Sequence, residues 1–189
     1  ILLGMVNTGY RPSEGAALTA AQIRLDAEVP HISIEPIGRQ LKSQYARRKI
    51  PLLGVSLDAI KAYPNGFPRY RDSAALSATI NKFLRENNLL ETPAHSMYSL
   101  RHSFEDRMLA AGVDDRIRRD LFGHSLNRER YGHGASLEQA RDLLAVFAHL
   151  HPADDVRSDH RGKRLRLIRA DGVAQLRQLQ PRQPRGAQR

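Results

Sequence analysis

The sequence predicts a predominantly α-helical α+β domain that carries a small antiparallel β-sheet. Three observations predict it. Apolar residues recur at helical spacing, most plainly Leu100, Phe104 and Met108 at i, i+4 and i+8. Short alternating segments at 23–25, 31–34 and 48–52 are separated by turn residues and read as strands. Gly112, Gly123 and the Ser136-x-x-Gln139 box supply stop and start signals between helices.

Taken in order, residues 1–18 read as two helical stretches broken at Thr8-Gly9, with Pro12 near the start of the second. The strands at 23–25 and 31–34 follow; Pro36-Ile37-Gly38 makes a turn before the strand at 48–52. Residues 56–63 form a short helix closed by Pro64-Asn65-Gly66. Asp72 can cap a helix that places Leu76, Ile80, Phe83 and Leu84 on one face. The helix at 99–111 ends at Gly112 in a left-handed cap, and Asp114 or Asp115 caps a short helix that Gly123 terminates. Ser136 opens a helix over 137–150, apolar at Leu143, Leu144 and Phe147. Beyond His151 the apolar period fades. Pro181, Pro184, Gly186 and repeated Arg and Gln then predict a partly disordered tail. The expected division is therefore a domain over 1–150 and a basic tail over 151–189, without internal repeats.

A chain of 189 residues can bury a real core, and 41% hydrophobic with 26% charged residues is the balance of a soluble globular protein. No run of about 18 apolar residues suggests a membrane span, and no signal peptide is visible. The absence of cysteine excludes a disulfide framework and thiolate metal sites, and fits a reducing cytoplasm. The chain opens Ile1-Leu2-Leu3-Gly4 and reads as a piece of a longer protein that begins inside an apolar helix. Net charge is +10, unevenly placed. Residues 151–189 hold ten Lys or Arg and four Asp or Glu, a balance of +6, which leaves +4 for residues 1–150. The excess suggests a polyanionic partner such as nucleic acid; a solubilising tail on a nearly neutral domain explains it as well.

Three local signals carry chemistry. They are Thr8-Gly9-Tyr10-Arg11-Pro12-Ser13-Glu14, then Tyr98-Ser99-Leu100-Arg101-His102-Ser103-Phe104, then Leu121-Phe122-Gly123-His124-Ser125 followed by Arg130-Tyr131-Gly132. Each has a plain alternative. Arg11 can form a weak surface pair with Glu14. Arg101 and His102 can be the polar face of an amphipathic helix, Gly123-His124 a helix stop, and Tyr131 a half-buried core tyrosine. Their occurrence together, in this order, outweighs the separate explanations.

The ordered set resembles the tyrosine recombinase family, which includes phage integrases and bacterial chromosome-dimer resolvases. Thr-Gly-x-Arg-x-x-Glu at 8–14 is similar to the family's first-arginine motif, and Leu100-Arg101-His102-Ser103-Phe104, continuing to Gly112-Val113-Asp114, to its second-arginine box. Leu41-Lys42-Ser43 through Arg48-x-Ile50-Pro51-Leu52 resembles the β-hairpin bearing the catalytic lysine. Leu121-Phe122-Gly123-His124 resembles the Leu-Gly-His box. Arg130-Tyr131-Gly132-x-Gly134-x-Ser136-Leu137 is similar to the nucleophile segment of one branch of phage integrases. The resemblance covers residues 1–150 and implies the catalytic-domain fold of these DNA breaking-rejoining enzymes.

The chemistry needs those residue types. Cleaving a phosphodiester takes a nucleophile, charge neutralisation at phosphate and a proton for the leaving oxygen. Two guanidiniums can hold both non-bridging oxygens through directed, charge-assisted hydrogen bonds and stabilise the charge of the transition state. Two Arg and one Lys can thereby do what divalent metals do elsewhere in phosphoryl transfer, and the resemblance implies neither metal nor cofactor. It assigns Tyr131 as the nucleophile that forms a 3′-phosphotyrosine, so that rejoining needs no ATP. Arg11 and Arg101 become the phosphate clamp, Lys42 the general acid for the 5′ oxygen, and His124 a phosphate-binding partner. Tyr98 stands where the family usually has histidine and is expected beside the phosphate site. His124 and Tyr131 are seven residues apart, fewer than is common in the family.

The implied partner is double-stranded DNA, engaged by a homotetramer in a bacterial or phage-derived cytoplasmic setting, nucleoid-associated. A core-binding domain that normally precedes the catalytic domain is absent from this chain. Two alternatives remain: a catalytically impaired DNA-binding relative, or a basic helical module that binds nucleic acid through its tail.

Overall fold

The computed structural model describes residues 1–36, 46–71, 73–125 and 134–148. Helix α1 (Leu2–Val6) and helix α2 (Pro12–Ala16) flank the turn at Thr8-Gly9, as the sequence predicts. A 3-10 turn leads into β1 (Ile23–Arg24), which pairs antiparallel with β2 (His31–Ile34); β2 pairs antiparallel with β3 (Arg48–Pro51). The register sets Ile32 opposite both Ile23 and Ile50. All four residues of β2 are buried, because the central strand is covered on both faces. The turn expected at Pro36-Ile37-Gly38 lies mostly outside the described residues.

Helix α3 (Gly54–Lys61) starts two residues earlier than its apolar pattern indicates. Ser56 is the cause: its hydroxyl is buried inside the first turn, donating to Leu3 O at 2.8 Å and accepting from Asn7 N at 2.8 Å. Helix α4 (Leu76–Glu86) buries Leu76, Ile80 and Leu84 on one face. Its N-cap position is Ala75, and the chain enters through a turn in which Leu76 N donates to Ser73 O; the expected cap, Asp72, lies outside the described residues. Helix α5 (Ser99–Ala110) is followed by Gly112 with φ +71°. Asp114 caps α6 (Asp115–Phe122) by accepting from Arg116 N, and Gly123 closes it at φ +65°. Helix α7 (Leu137–Ala145) begins with the expected Ser136–Gln139 capping box and ends short of residue 150.

Two apolar clusters organise these elements. The larger gathers α1, the sheet, α3 and α4 around Met5, Ile32, Ile50, Ile60 and Leu84. The smaller joins α5, α6 and α7 through Phe104, Met108, Phe122 and Leu144. Helix α5 contributes Leu100 to the first and Phe104 to the second, so its polar side chains lie at the junction. Among the described residues no helix is long and apolar enough to cross a membrane.

Candidate active site

Arg11 is the N-cap residue of α2. Its main-chain N–H donates to Glu14 Oε2 at 2.8 Å and its guanidinium to Oε1 at 2.9 Å. The helix is oriented by Pro12 at its first position, which has no N–H to satisfy there. The sequence allowed this pair to be a weak surface contact; the structure corrects that. The Glu14 side chain is only 2% exposed because Arg48, from β3, covers it with a second, bidentate ion pair at 2.7 and 3.1 Å. Burial pushes the Glu14 carboxyl upward, but the Arg48 hydrogen bonds and charge, with those of Arg11, outweigh it and hold the group at about 2. Glu14 thus carries a full negative charge and fixes two cations.

Arg101 lies in the first turn of α5 and is buried, with 3% of its surface exposed. Among the described residues it has no carboxylate partner in direct contact; its guanidinium donates to Gly9 O and, at 2.8 Å, to Phe122 O, and stacks 4.2 Å over the Phe122 ring. One side chain therefore ties the turn before Arg11 to the turn before His124. Burial, followed by the neighbouring charges of Arg11 and Arg48, brings its pKa down to about 10, so it remains a cation at neutral pH. Arg101 Nη2 also lies 3.3 Å from His124 Nε2. A guanidinium can only donate, so that contact uses the lone pair of a neutral imidazole. Burial and then the charges of Arg101 and Arg11 push the His124 pKa below its usual value, which favours the same neutral form.

Arg11, Arg48, Arg101 and His124 thus converge from α2, β3, α5 and the end of α6, with Glu14 the carboxylate bonded to two of the cations. Such a cluster is short of negative charge, and an oxyanion is the ligand that would relieve it. Tyr98, the N-cap residue of α5, is 40% exposed; its ring sits 5.4 Å from that of His102, which is exposed. Tyr98 is at the rim, and its carbonyl accepts from Arg101 N at 3.0 Å. Lys42 and Tyr131 lie outside the described residues. The chain flanking Tyr131 is held at both described ends by α6. Arg119 Nη1 donates to Ser125 O at 3.1 Å, and Gly134, at φ +81°, packs so closely that a methyl group there would lie 3.0 Å from Asp120 Oδ2.

Arg48 is the site residue that the sequence did not reveal as such. It bonds Glu14, Ala46 O and Leu121 O, the last 73 positions away, and no local pattern marks a partner so distant. Among the described residues no cluster of three or more His, Asp or Glu side chains is placed to hold a metal ion.

The described residues form a helical domain with a three-stranded antiparallel sheet, and the fold is similar to that of solved integrases at low sequence identity. One is the Tn1549 transposon integrase (residues 82–397, Y379F), solved in complex with transposon right-end DNA. It is 20% identical with a TM-score of 0.52 over 77% of this chain and 57% of that one. Another is the integrase of mycobacterium phage Brujita, 18% identical with a TM-score of 0.58 over 85% of this chain and 54% of that one. The chain therefore spans little more than half the length of these integrases. No protein-family model and no curated protein sequence matches it.

Proposed function

We propose that this chain is the catalytic domain of a site-specific DNA recombinase or integrase that cuts and rejoins strands through a 3′-phosphotyrosine at Tyr131. The observation that carries the reading is the convergence of Arg11, Arg101 and His124, in a recombinase fold, on one cation-rich site whose charges Glu14 only partly balances. Arg11 and Arg101 clamp the scissile phosphate. Neutral His124, already turned towards Arg101, adds a hydrogen bond to it, and Lys42 protonates the departing 5′ oxygen. In this reading residues 1–150 are the catalytic domain. The 151–189 tail adds sequence-independent phosphate contacts. The protein acts in the cytoplasm of a bacterium, as a tetramer on two duplexes, without metal or cofactor.

The test is covalent capture on nicked duplexes with a randomised core. The expected result is an SDS-resistant protein–DNA adduct that maps to Tyr131 and disappears in Tyr131→Phe. DNA binding without any adduct would favour an impaired relative, for which the seven-residue His124–Tyr131 spacing and Tyr98 are the motives. Binding that survives Arg11→Ala and is abolished by removing residues 151–189 would instead favour a basic nucleic-acid-binding module.

A further inference from the structure

Arg107 is a buried cation that the site chemistry leaves unused. It lies on α5, 8% exposed, with no carboxylate among its described partners. Its guanidinium donates to Val6 O, the last residue of α1, to Asn7 Oδ1 at 3.2 Å and to Phe147 O at 3.2 Å, just past the end of α7. It also faces the Phe104 and Phe147 rings at 5.5 and 5.8 Å. Helix C-termini present carbonyls that their own helix cannot satisfy, and they carry partial negative charge. One guanidinium therefore joins the C-terminal end of α1 to the chain just past α7, at Val6 and Phe147, a bridge that a single-nitrogen cation cannot reproduce.

The position of this bridge matters because of what α1 leads into. Residues 6–9 are gripped by α5 at both ends: Arg107 holds Val6 and Asn7, and Arg101 holds Gly9 O. Asn7 extends the grip, donating through Nδ2 to Leu53 O at the start of α3. Arg11 emerges two residues after Gly9. We infer that Arg107 is a positioning residue that couples the docking of α7 to the placement of the turn carrying Arg11. Release of α7 removes Phe147 O from the guanidinium and loosens its hold on Val6 and Asn7; loss of the guanidinium frees both helix ends together. Its relevance to catalysis rests on the recombinase reading above, while the coupling itself does not.

Amide hydrogen exchange on the full chain tests the coupling without DNA. In Arg107→Met, the Gly9 N–H, bonded to Met5 O, and the Phe147 and Ala148 N–H groups, bonded to Leu144 O, are expected to exchange about tenfold faster or more. Amides of α4 stay within about twofold of the wild type. Arg107→Lys, a milder change should the methionine variant not fold, gives the same paired effect with smaller amplitude. Faster exchange at only one of the two ends, no change at either, or a uniform rise that includes α4 would overturn the inference. On the nicked duplexes, adduct formation at saturating DNA falls by about tenfold in Arg107→Met, DNA affinity stays within about twofold, and Arg107→Lys recovers part of the rate. An unchanged adduct rate would also overturn it. If the wild type forms no adduct, the recombinase reading fails and the exchange data alone decide on Arg107.

Discussion

Glu14 does more in this molecule than its spacing from Arg11 suggests. Exposed i, i+3 pairs contribute a few tenths of a kcal/mol, but this carboxylate is buried between two guanidiniums. With its pKa at about 2 in the folded chain against 4.5 unperturbed, linkage gives about 3 kcal/mol of stability from its ionised form. The pKa is depressed, so that stability is fully present above pH 4.5 and is lost as pH falls towards 2. Glu14→Gln should therefore lower the urea-unfolding free energy by about 3 kcal/mol at pH 7, and by about half as much at pH 3. A difference that did not shrink with acid would mean that the Glu14 contribution is packing rather than charge. The arginines at this site were legible as residues: the boxes around Arg11 and Arg101 can be picked out by eye. Glu14 was legible as a partner of Arg11, one turn on; the distant partners were not. Arg48 meets Glu14 across 34 positions and Arg107 meets Val6 across 101, and a hydrogen bond between distant segments leaves no periodic trace in either one.

At the scale of elements, period and punctuation were legible, and helix ends less so. The alternation at 31–34 and the glycines at 112 and 123 mark a strand and two helix ends where the structure has them. Helix α3 begins early because Ser56 spends its hydroxyl on α1, and α7 ends early, at a point where Arg107 takes the Phe147 carbonyl. Both boundaries lie beside tertiary hydrogen bonds, which no local pattern shows. The turn between α1 and α2 is the element on which the site depends most. Gly9 sits at φ +57°, and a methyl group there would lie 2.5 Å from Phe104 Cδ1. Backbone strain and overpacking then act together, so Gly9→Ala should cost about 2–4 kcal/mol in thermal or urea unfolding. Because Gly9 O receives Arg101, the variant should also bind DNA less tightly at a temperature where it is still folded. A variant of wild-type stability would show that the turn can shift without loss.

Across the whole molecule, α5 is the member that makes two clusters into one site. It supplies Leu100 to one cluster and Phe104 to the other, and between and beyond them it places Arg101 and Arg107. The fold brings the guanidiniums of Arg11 and Arg101 and a neutral His124 to one region. In the proposed function Arg11 works by neutralising phosphate charge. The most direct measurement replaces the phosphate at a captured cleavage site with an uncharged methylphosphonate and follows adduct formation by Arg11→Ala. The variant should be slow on the ordinary phosphate, by about a hundredfold, and recover most of that loss on the neutral one; equal loss on both substrates would contradict the claim.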